Sequence, residues 1–219
     1  QGDTLGLVNR SDRCFTCPEA DKCPFYLDLR QSEKHRSLYL ENEHYDGYFR
    51  DRCVFSDLID IDDTMSVQVV YSSGATMTYS LNAFMPWEGY VINFNGTKGR
   101  LEHIAQEAAY ISGDGTTPGG VIKDATSIRI FPHFSNGYSV PVWTSEGGHG
   151  GGDPGLLHNL FSGSVEPDKY MRSADHRSGA YSILTGIGAN QSIKTRQHVS
   201  ISNLVNGLEI PDFPVMPRR

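Results

Sequence analysis

An alternation of apolar and polar residues is the clearest pattern in the chain, and it begins at position 64. Apolar residues such as Met65 and Val69 alternate with polar neighbours as far as position 71, which is the period of a strand with one buried face. The turn sequence Ser-Ser-Gly at 72–74 leads into a second alternating segment at 75–83. These two segments predict a β-hairpin.

Two more hairpins are predicted from turn sequences that lie between apolar segments. Residues 95–99 are Asn-Gly-Thr-Lys-Gly and residues 135–137 are Ser-Asn-Gly, and both sequences are typical of tight turns. The strands that these turns connect are predicted at 90–94, 100–104, 127–131 and 138–143.

After the predicted strands, the apolar residues are spaced as they are in helices. The segment 153–161 begins with Asp153 and Pro154, which predicts a helix with Asp153 as its N-cap and proline in its first position. A second helix is predicted at 173–190, where internal glycines weaken helix propensity and close packing on the sheet is expected to compensate. Hairpins followed by helices are typical of an α+β fold.

The first quarter of the chain has a weaker pattern. Residues 1–55 are irregular and polar and contain all four cysteines, with a helix predicted at 25–40. We expect this segment to belong to the same domain as residues 56–219, whose last part, 206–219, is predicted as an extended tail. A Gly-x-Gly-x-x-Gly turn between a strand and a helix is not found, so a complete Rossmann domain is predicted to be absent from this chain.

Composition and charge narrow the classes of function. The 219 residues carry a net charge of -7 without a cluster of lysines or arginines, which argues against a nucleic-acid-binding surface. No apolar segment approaches the roughly 20 residues that cross a bilayer, and no signal peptide is recognisable at the start. We therefore expect no nucleic acid and no membrane among the partners. Because Gln1 is not an initiator methionine, we expect a processed product or an excised domain.

A glycine-rich segment at 147–154 contains the most informative candidate chemistry. Five glycines surround His149, and Asp153 follows them. Glycine permits close approach of another molecule to the backbone, and the helix N-terminus predicted at Asp153 favours anions and polar ligand oxygens. One interpretation is a substrate loop in which His149 binds a hydroxyl or transfers a proton. The alternative is a flexible connection with an exposed histidine.

The segment 82–90 combines aromatic rings with an amide and a carboxylate between two predicted strands. Flat apolar rings stack on the CH face of a sugar or polyol, while polar side chains bind its hydroxyls. Asn82, Trp87 and Glu88 are therefore candidate substrate-binding residues, together with His149 and Asp153. An aromatic plug at the end of the sheet is the alternative interpretation.

The four cysteines form a Cys-x2-Cys-x5-Cys arrangement followed by a distant fourth. Cys14, Cys17, Cys23 and Cys53 have a spacing that fits a closed tetrahedral zinc site. Disulfides in an exported protein and four unlinked thiols are the alternatives. The sequence alone does not choose among the three.

A group of acidic residues precedes the first predicted strand. Their spacing is not that of an EF-hand calcium loop, and we interpret them as solvated acids at the entrance to the strand. They are Asp57, Asp60, Asp62 and Asp63. Near the start of the last predicted helix, the residues interpreted as cap and surface groups are Asp175, His176 and Arg177.

Several longer motifs occur in a fixed order along the chain. They lie at 60–66, 79–90, 94–102, 149–153 and 182–190, and they include the sequences Asp-Ile-Asp-Asp-Thr-Met-Ser and His-Gly-Gly-Gly-Asp. In this order they resemble the C-terminal domain of the glucose–fructose oxidoreductase/inositol dehydrogenase (Gfo/Idh/MocA) family. The resemblance covers nearly the whole chain.

This resemblance implies an open, predominantly antiparallel β-sheet with helices packed on one face and a homo-oligomer contact on the other. It implies that the domain binds a sugar-like substrate, with His149 as the candidate catalytic residue, while a separate Rossmann domain binds NAD or NADP and provides the main catalytic lysine. We therefore expect a substrate-binding and oligomerisation domain of an NAD(P)-dependent oxidoreductase that acts on a sugar, polyol or related hydroxyl compound. Turnover and cofactor binding are not expected of this chain alone.

The resemblance leaves the reaction class open. Related family members are NAD-dependent glycosidases with a similar His-Gly-Gly-x-Asp motif, which His149 and Asp153 match, and their tail resembles residues 208–213. A non-catalytic carbohydrate-binding or assembly module is a further alternative. The resemblance implies a shared structural role for the four cysteines without identifying a metal. The location of the parent protein stays open, with the cytoplasm favoured over export.

Overall fold

A computed structural model describes residues 2–108, 110, 125–142, 148–162, 168, 170 and 173–212, with only the backbone described at 148–150. These residues belong to two compact units, Gln1–Val142 and Trp143–Arg219. All the described strands lie in the first unit, and the two longest described helices lie in the second. The expectation that residues 1–55 and 56–219 share one domain stays a prediction.

The first predicted hairpin is confirmed. Strand β1 (Thr64–Val70) pairs antiparallel with β2 (Thr76–Asn82), and Val67 lies opposite Tyr79. Alternate residues of β1 are half-buried, as the sequence pattern predicts. The turn closes through a 2.9 Å hydrogen bond from the Tyr71 amide to the Ala75 carbonyl, and Gly74 provides the positive φ of 85° that this turn requires.

The other two hairpins form one four-stranded antiparallel meander. Its strands are β3 (Gly89–Gly96), β4 (Gly99–Gln106), β5 (Thr126–Pro132) and β6 (Tyr138–Val140), in the spatial order β3-β4-β5-β6. Strand β6 ends three residues before the predicted position 143. The next residue, Pro141, has no backbone N–H with which to continue the ladder.

The meander has one apolar face and one polar face. Register and alternation place Tyr90, Ile92 and Phe94 of β3 on the same face as His103 of β4. The rings of Tyr90 and His103 meet edge to face, with centroids 5.3 Å apart. Phe94 keeps 59% of its surface exposed, so a large part of this apolar face remains accessible to solvent.

Short turns fill the N-terminal segment, and the helix predicted at 25–40 is wrong in extent. Two short helices, α1 (Glu33–Leu38) and α2 (Glu43–Asp46), follow a 3-10 turn at Leu29–Gln31. The Asp28 carboxylate accepts a hydrogen bond from the Arg30 amide, and the Ser32 hydroxyl accepts one from the His35 amide. Each side chain begins a new turn, because the extended backbone of these N-cap residues interrupts a continuous helix.

A buried carboxylate joins the two ends of this N-terminal segment. Asp51 is 2% exposed. Its Oδ1 accepts a 2.8 Å hydrogen bond from Arg13 Nε, and its Oδ2 accepts a 2.9 Å hydrogen bond from the Phe15 amide. The Arg13 guanidinium also donates to Glu43 at 2.9 Å and lies over the Phe49 ring. Residues 13–15 and 51 are therefore held together mainly by charge-assisted hydrogen bonds.

Apolar burial contributes comparatively little around these hydrogen bonds. The buried apolar residues within the described part of the chain are Leu7, Leu29, Ala105 and Ala108. Two of them are alanines, whose side chains remove little apolar area from water. The first unit therefore depends strongly on its polar network and on strand pairing.

The second unit contains α3 (Gly148–Phe161) and α4 (His176–Thr195). The prediction that Asp153 is the N-cap of the first of these helices is wrong, because the helix begins at Gly148 and Pro154 lies inside it. Gly151 has a φ of 84°, a conformation that glycine adopts without a steric penalty. This left-handed residue interrupts the regular right-handed helix two residues before Asp153.

Helix α4 is longer than the predicted 173–190, and its cap is confirmed. The Asp175 carboxylate accepts hydrogen bonds from the Ser178 amide at 2.9 Å and from Arg177 Nε at 2.6 Å. These bonds lower the pKa of Asp175 to about 2, with the Ser178 amide as the largest cause. A Cβ added to the buried Gly188 would lie 2.8 Å from Ile201 Cδ1. Gly188 thus packs closely against the 3-10 turn that begins at Ile201. Packing of α4 on the sheet stays a prediction.

Arg177 also fixes the segment that follows α4. It donates to the Ile210 carbonyl at 3.3 Å and to the Asp212 carboxylate at 3.0 Å. The Tyr181 hydroxyl donates to the Leu208 carbonyl at 3.3 Å. Residues 208–212 of the predicted tail therefore lie along the first turns of α4, while 213–219 lie outside the described residues.

The predicted α+β class, with open antiparallel sheets, is confirmed. The described strands form two sheets, and none of the strand pairs in them is parallel. No Rossmann domain is detected in the described part of the chain. No helix in the described part of the chain is both long enough and apolar enough to cross a bilayer.

Replacing Arg13 tests the importance of the buried carboxylate. Arg13→Ala leaves Asp51 buried without its guanidinium partner, and we expect the free energy of unfolding to fall by about 3–5 kcal/mol. The matched control is Arg36→Ala, which removes exposed ion pairs to Glu33 and Glu41 and should cost less than about 1 kcal/mol. Urea unfolding followed by tryptophan fluorescence measures both. Equal losses in the two variants would contradict the role assigned to Asp51.

The Asp175 cap gives a prediction for acidic pH. Because its folded pKa of about 2 lies below the ordinary value of 3.8, its stabilising effect is full above about pH 4 and is lost as the pH falls through about 2. The NMR shift of the Ser178 amide should therefore titrate with a midpoint near 2. Asp175→Asn, which does not titrate, should abolish this transition. A wild-type midpoint near 3.8 would contradict the cap.

Candidate functional site

The loop between β2 and β3 carries three of the predicted substrate-binding residues. Asn82 is the last residue of β2, lies opposite Thr64 and is exposed. Trp87 is half-buried and Glu88 is exposed. The structure therefore brings these three residues to one end of the β1–β2 hairpin, at the entrance to β3.

The conformation of this loop depends on Gly89. The residue has a φ of 154°, and an added Cβ would lie 2.1 Å from the Ala105 carbonyl oxygen and 2.8 Å from Cζ3 of Trp87. Only glycine fits such a close approach. The Glu88 carbonyl accepts a 2.8 Å hydrogen bond from the Glu107 amide. The backbone beside Trp87 is thus fixed against the end of β4, while the Glu88 side chain stays accessible.

An aromatic cluster connects this loop to the N-terminal segment. The rings of Phe55 and Phe84 are stacked with centroids 6.1 Å apart, and Phe25 meets both of them edge to face at 5.2 and 5.8 Å. Such pairs are worth about 0.5–1.5 kcal/mol beyond the area they bury. The position of the loop thus depends on residues far away in the sequence.

A polar cavity of about 320 Å³ lies beside this cluster. Arg10 and Phe84 line it together with the carboxylates of Asp57, Asp62 and Asp63. Its volume falls within the range of small-molecule sites, at roughly 300–1,000 Å³. These aspartates are exposed, as the sequence interpretation expects, but that interpretation did not include the cavity that they line. The group of aspartates at 57–63 is the feature of the sequence that could have indicated this cavity. Their spacing does not show that Arg10 lies beside them.

Arg10 is the main positive group at this cavity. Its Nη1 donates to Asp3 at 2.6 Å and also to the Leu7 carbonyl. The hydrogen bond from Arg10 holds the pKa of Asp3 below its ordinary value. A guanidinium beside several carboxylates offers both donors and acceptors, which is the combination that hydroxyl groups require.

The remaining predicted site residues lie in the second unit. His149 belongs to the first turn of α3, and its side chain lies outside the described residues. Asp153 lies four residues further along the same helix and is half-buried. Helix α3 therefore includes the glycine segment from Gly148 onward, with a break in regular helical geometry at Gly151. The roles of His149 and Asp153 toward a substrate stay predictions.

The four cysteines lie around one small cavity. Cys14, Cys17, Cys23 and Cys53 are half-buried, carry free thiols and share this cavity with Arg10. Burial raises the pKa of the Cys14 thiol. In the described part of the chain, no three histidine, cysteine, aspartate or glutamate side chains are already positioned to hold a metal ion. The structure thus brings the predicted ligands together without closing a metal site.

Comparison with known proteins identifies a family. Residues 29–201 match the family model described as "Oxidoreductase family, C-terminal alpha/beta domain". The chain is also 33% identical over 204 residues to the Bacillus subtilis (strain 168) protein named "Putative oxidoreductase YteT". That alignment covers 87% of this chain and 45% of the relative, so the chain spans about half the length of the curated relative it matches. No solved structure matches the chain.

Proposed function

Because the chain belongs to the Gfo/Idh/MocA family of oxidoreductases, of which it contains the C-terminal α/β domain, we propose that it binds the substrate of an NAD(P)-dependent oxidoreductase. The substrate class is a sugar, a polyol or a related hydroxyl compound. The family match over residues 29–201 is the observation that carries this proposal.

The loop and the polar cavity support a hydroxyl-rich ligand. Trp87 offers a partly accessible aromatic face, and Asn82 and Glu88 offer exposed hydrogen-bonding groups on the same loop. Aromatic faces stack on the CH groups of a sugar ring, while amides and carboxylates bind its hydroxyls. The mixture of Arg10 and four aspartates at the neighbouring cavity suits the same chemistry.

The described part of this chain offers no parallel strand–helix–strand unit of the kind that binds a dinucleotide. The strand pairs in it are all antiparallel. NAD or NADP would supply hydride chemistry from a separate Rossmann domain. The role proposed for this chain is to bind and orient the hydroxyl compound. His149 and Asp153 of α3 are proposed as substrate contacts from their sequence motif alone.

Substitution of His149 tests this proposal in the full-length protein that contains the chain. We expect His149→Ala to lower kcat/KM roughly 10- to 100-fold, equal to about 1.4–2.8 kcal/mol of lost interaction. The matched control is His158→Ala, an exposed histidine of the same helix, which should leave kcat/KM unchanged. Kinetics with a panel of sugars and polyols measure both variants.

The products distinguish the alternative functions. Net reduction of NAD(P) identifies an oxidoreductase, whereas release of a free sugar from a glycoside without net reduction identifies an NAD-dependent glycosidase. Wild-type kinetics of His149→Ala with every accepted substrate would contradict the assigned contact. A full-length protein that binds sugars but neither NAD nor NADP would instead be a binding module.

We further propose that the apolar face of the meander pairs two copies of the chain. Exposed apolar sheet faces are typical association surfaces, and Phe94 is 59% exposed on this face. Phe94→Asp should convert a dimer into a monomer in light scattering after gel filtration. The matched control is Val91→Asp, on the opposite face of the same strand and 56% exposed, which should leave the dimer intact. A wild-type monomer at high concentration would contradict this contact.

A further inference from the structure

The cavity lined by the four cysteines is small and lies inside the N-terminal segment. Its volume is about 20 Å³, which is room for about one water-sized particle. The sequence places Cys14, Cys17 and Cys23 within ten residues and Cys53 thirty residues later. Their convergence on one cavity is therefore a product of the fold and not of their spacing alone.

Backbone hydrogen bonds bring the distant cysteine to the other three. An antiparallel bridge joins Arg13 to Arg52. On either side of it, the Cys14 amide donates to the Asp51 carbonyl at 2.8 Å and the Cys53 amide donates to the Asp12 carbonyl at 2.9 Å. Both cysteines therefore have fixed backbone positions beside the cavity.

Tight turns fix the other two cysteines. The Cys17 amide donates to the Cys14 carbonyl at 3.0 Å, and the Cys23 amide donates to the Glu19 carbonyl at 3.0 Å. A Cys-x2-Cys turn with further cysteines nearby is the usual backbone arrangement of a tetrahedral thiolate site. The main chain is thus organised in the manner that four sulfur ligands require.

From this arrangement we propose that the four cysteines bind one zinc ion in the cavity. Tetrahedral coordination by four sulfurs fits zinc or iron–sulfur chemistry. Zinc is the ion proposed, because the cavity of about 20 Å³ has room for about one water-sized particle. A closed site would place each sulfur about 2.3 Å from the ion.

The surroundings suit the charge of such a site. Four thiolates and one Zn²⁺ carry a net charge of −2, and Arg10 and Arg13 both line the cavity. The Arg10 guanidinium interacts electrostatically with Cys53. Two arginines thus lie beside the sulfurs that would bind the ion, together with the buried Glu19.

The proposed ion has a structural role that is independent of the proposed function. Phe25 and Phe55 line the cysteine cavity, and both contact Phe84 of the loop that carries Trp87. An ion that fixes residues 14–23 to residue 53 would hold this aromatic cluster in place. Metal binding therefore stabilises the support beneath the candidate substrate loop without touching the substrate.

Metal analysis of the chain purified without chelators tests the proposal. We expect about one zinc per chain, and we expect Cys23→Ser and Cys53→Ser each to reduce this content to near zero. The matched control is His44→Ala, which removes an exposed potential ligand of the same segment outside the cavity and should retain the zinc. Cobalt substituted for zinc should give the visible absorption of a tetrahedral thiolate site.

A measurement on the wild-type chain covers the case in which a cysteine variant does not fold. Titration of the four thiols with a mercurial should release one zinc ion, and chelation should speed amide exchange at 12–23 and 51–55 more than in β4. Four alkylatable thiols without metal would overturn the proposal. So would disulfides found by mass spectrometry under non-reducing conditions, or iron and sulfide with broad visible absorption.

Discussion

The hydrogen bonds of buried Asp51 are the interaction on which the first unit most depends. Its carboxylate takes donors from the Arg13 side chain and the Phe15 amide, and its carbonyl takes the Cys14 amide. A buried charge is stable only when it is paired and fully hydrogen-bonded. Because few large apolar side chains are buried nearby, this network and not a large core fixes residues 13–15 against residues 51–53.

The hydrogen bonds of Asp51 also affect the position of the candidate substrate loop, because packed aromatic rings connect the two. Once residues 51–55 are fixed, Phe55 stacks on Phe84, and Phe25 closes the cluster from the other side. Phe84 belongs to the loop whose backbone ends at Gly89, where close approach to the Ala105 carbonyl leaves no space for a side chain. The loop is thus held at one end by aromatic packing and at the other by the start of the meander. A binding loop fixed in this way loses little conformational entropy when a ligand binds.

The sequence predicted the strands well and the helix boundaries less well, for physical reasons. Alternation and turn residues are local signals, so β1–β5 and their turns could be located before the structure was known. The helix predicted at 25–40 is wrong in extent because the N-caps at Asp28 and Ser32 each begin a separate short turn or helix. The start of α3 was misplaced because the helix includes glycines from Gly148 onward, and their low helix propensity gives no sequence signal of a helix. The polar cavity depends on Arg10 meeting distant aspartates, which no local pattern encodes.

Amide hydrogen exchange in the wild-type chain tests most directly whether the Asp51 network organises the first unit. If the account is correct, the amides of Cys14 and Phe15, which donate to Asp51, should exchange as slowly as those in the centre of β4. The amide of Gly74, which donates to the Tyr71 carbonyl in the exposed β1–β2 turn, provides the reference for local opening. Exchange of Cys14 and Phe15 at the rate of Gly74 would contradict the account, because the N-terminal segment would then open independently of the sheet.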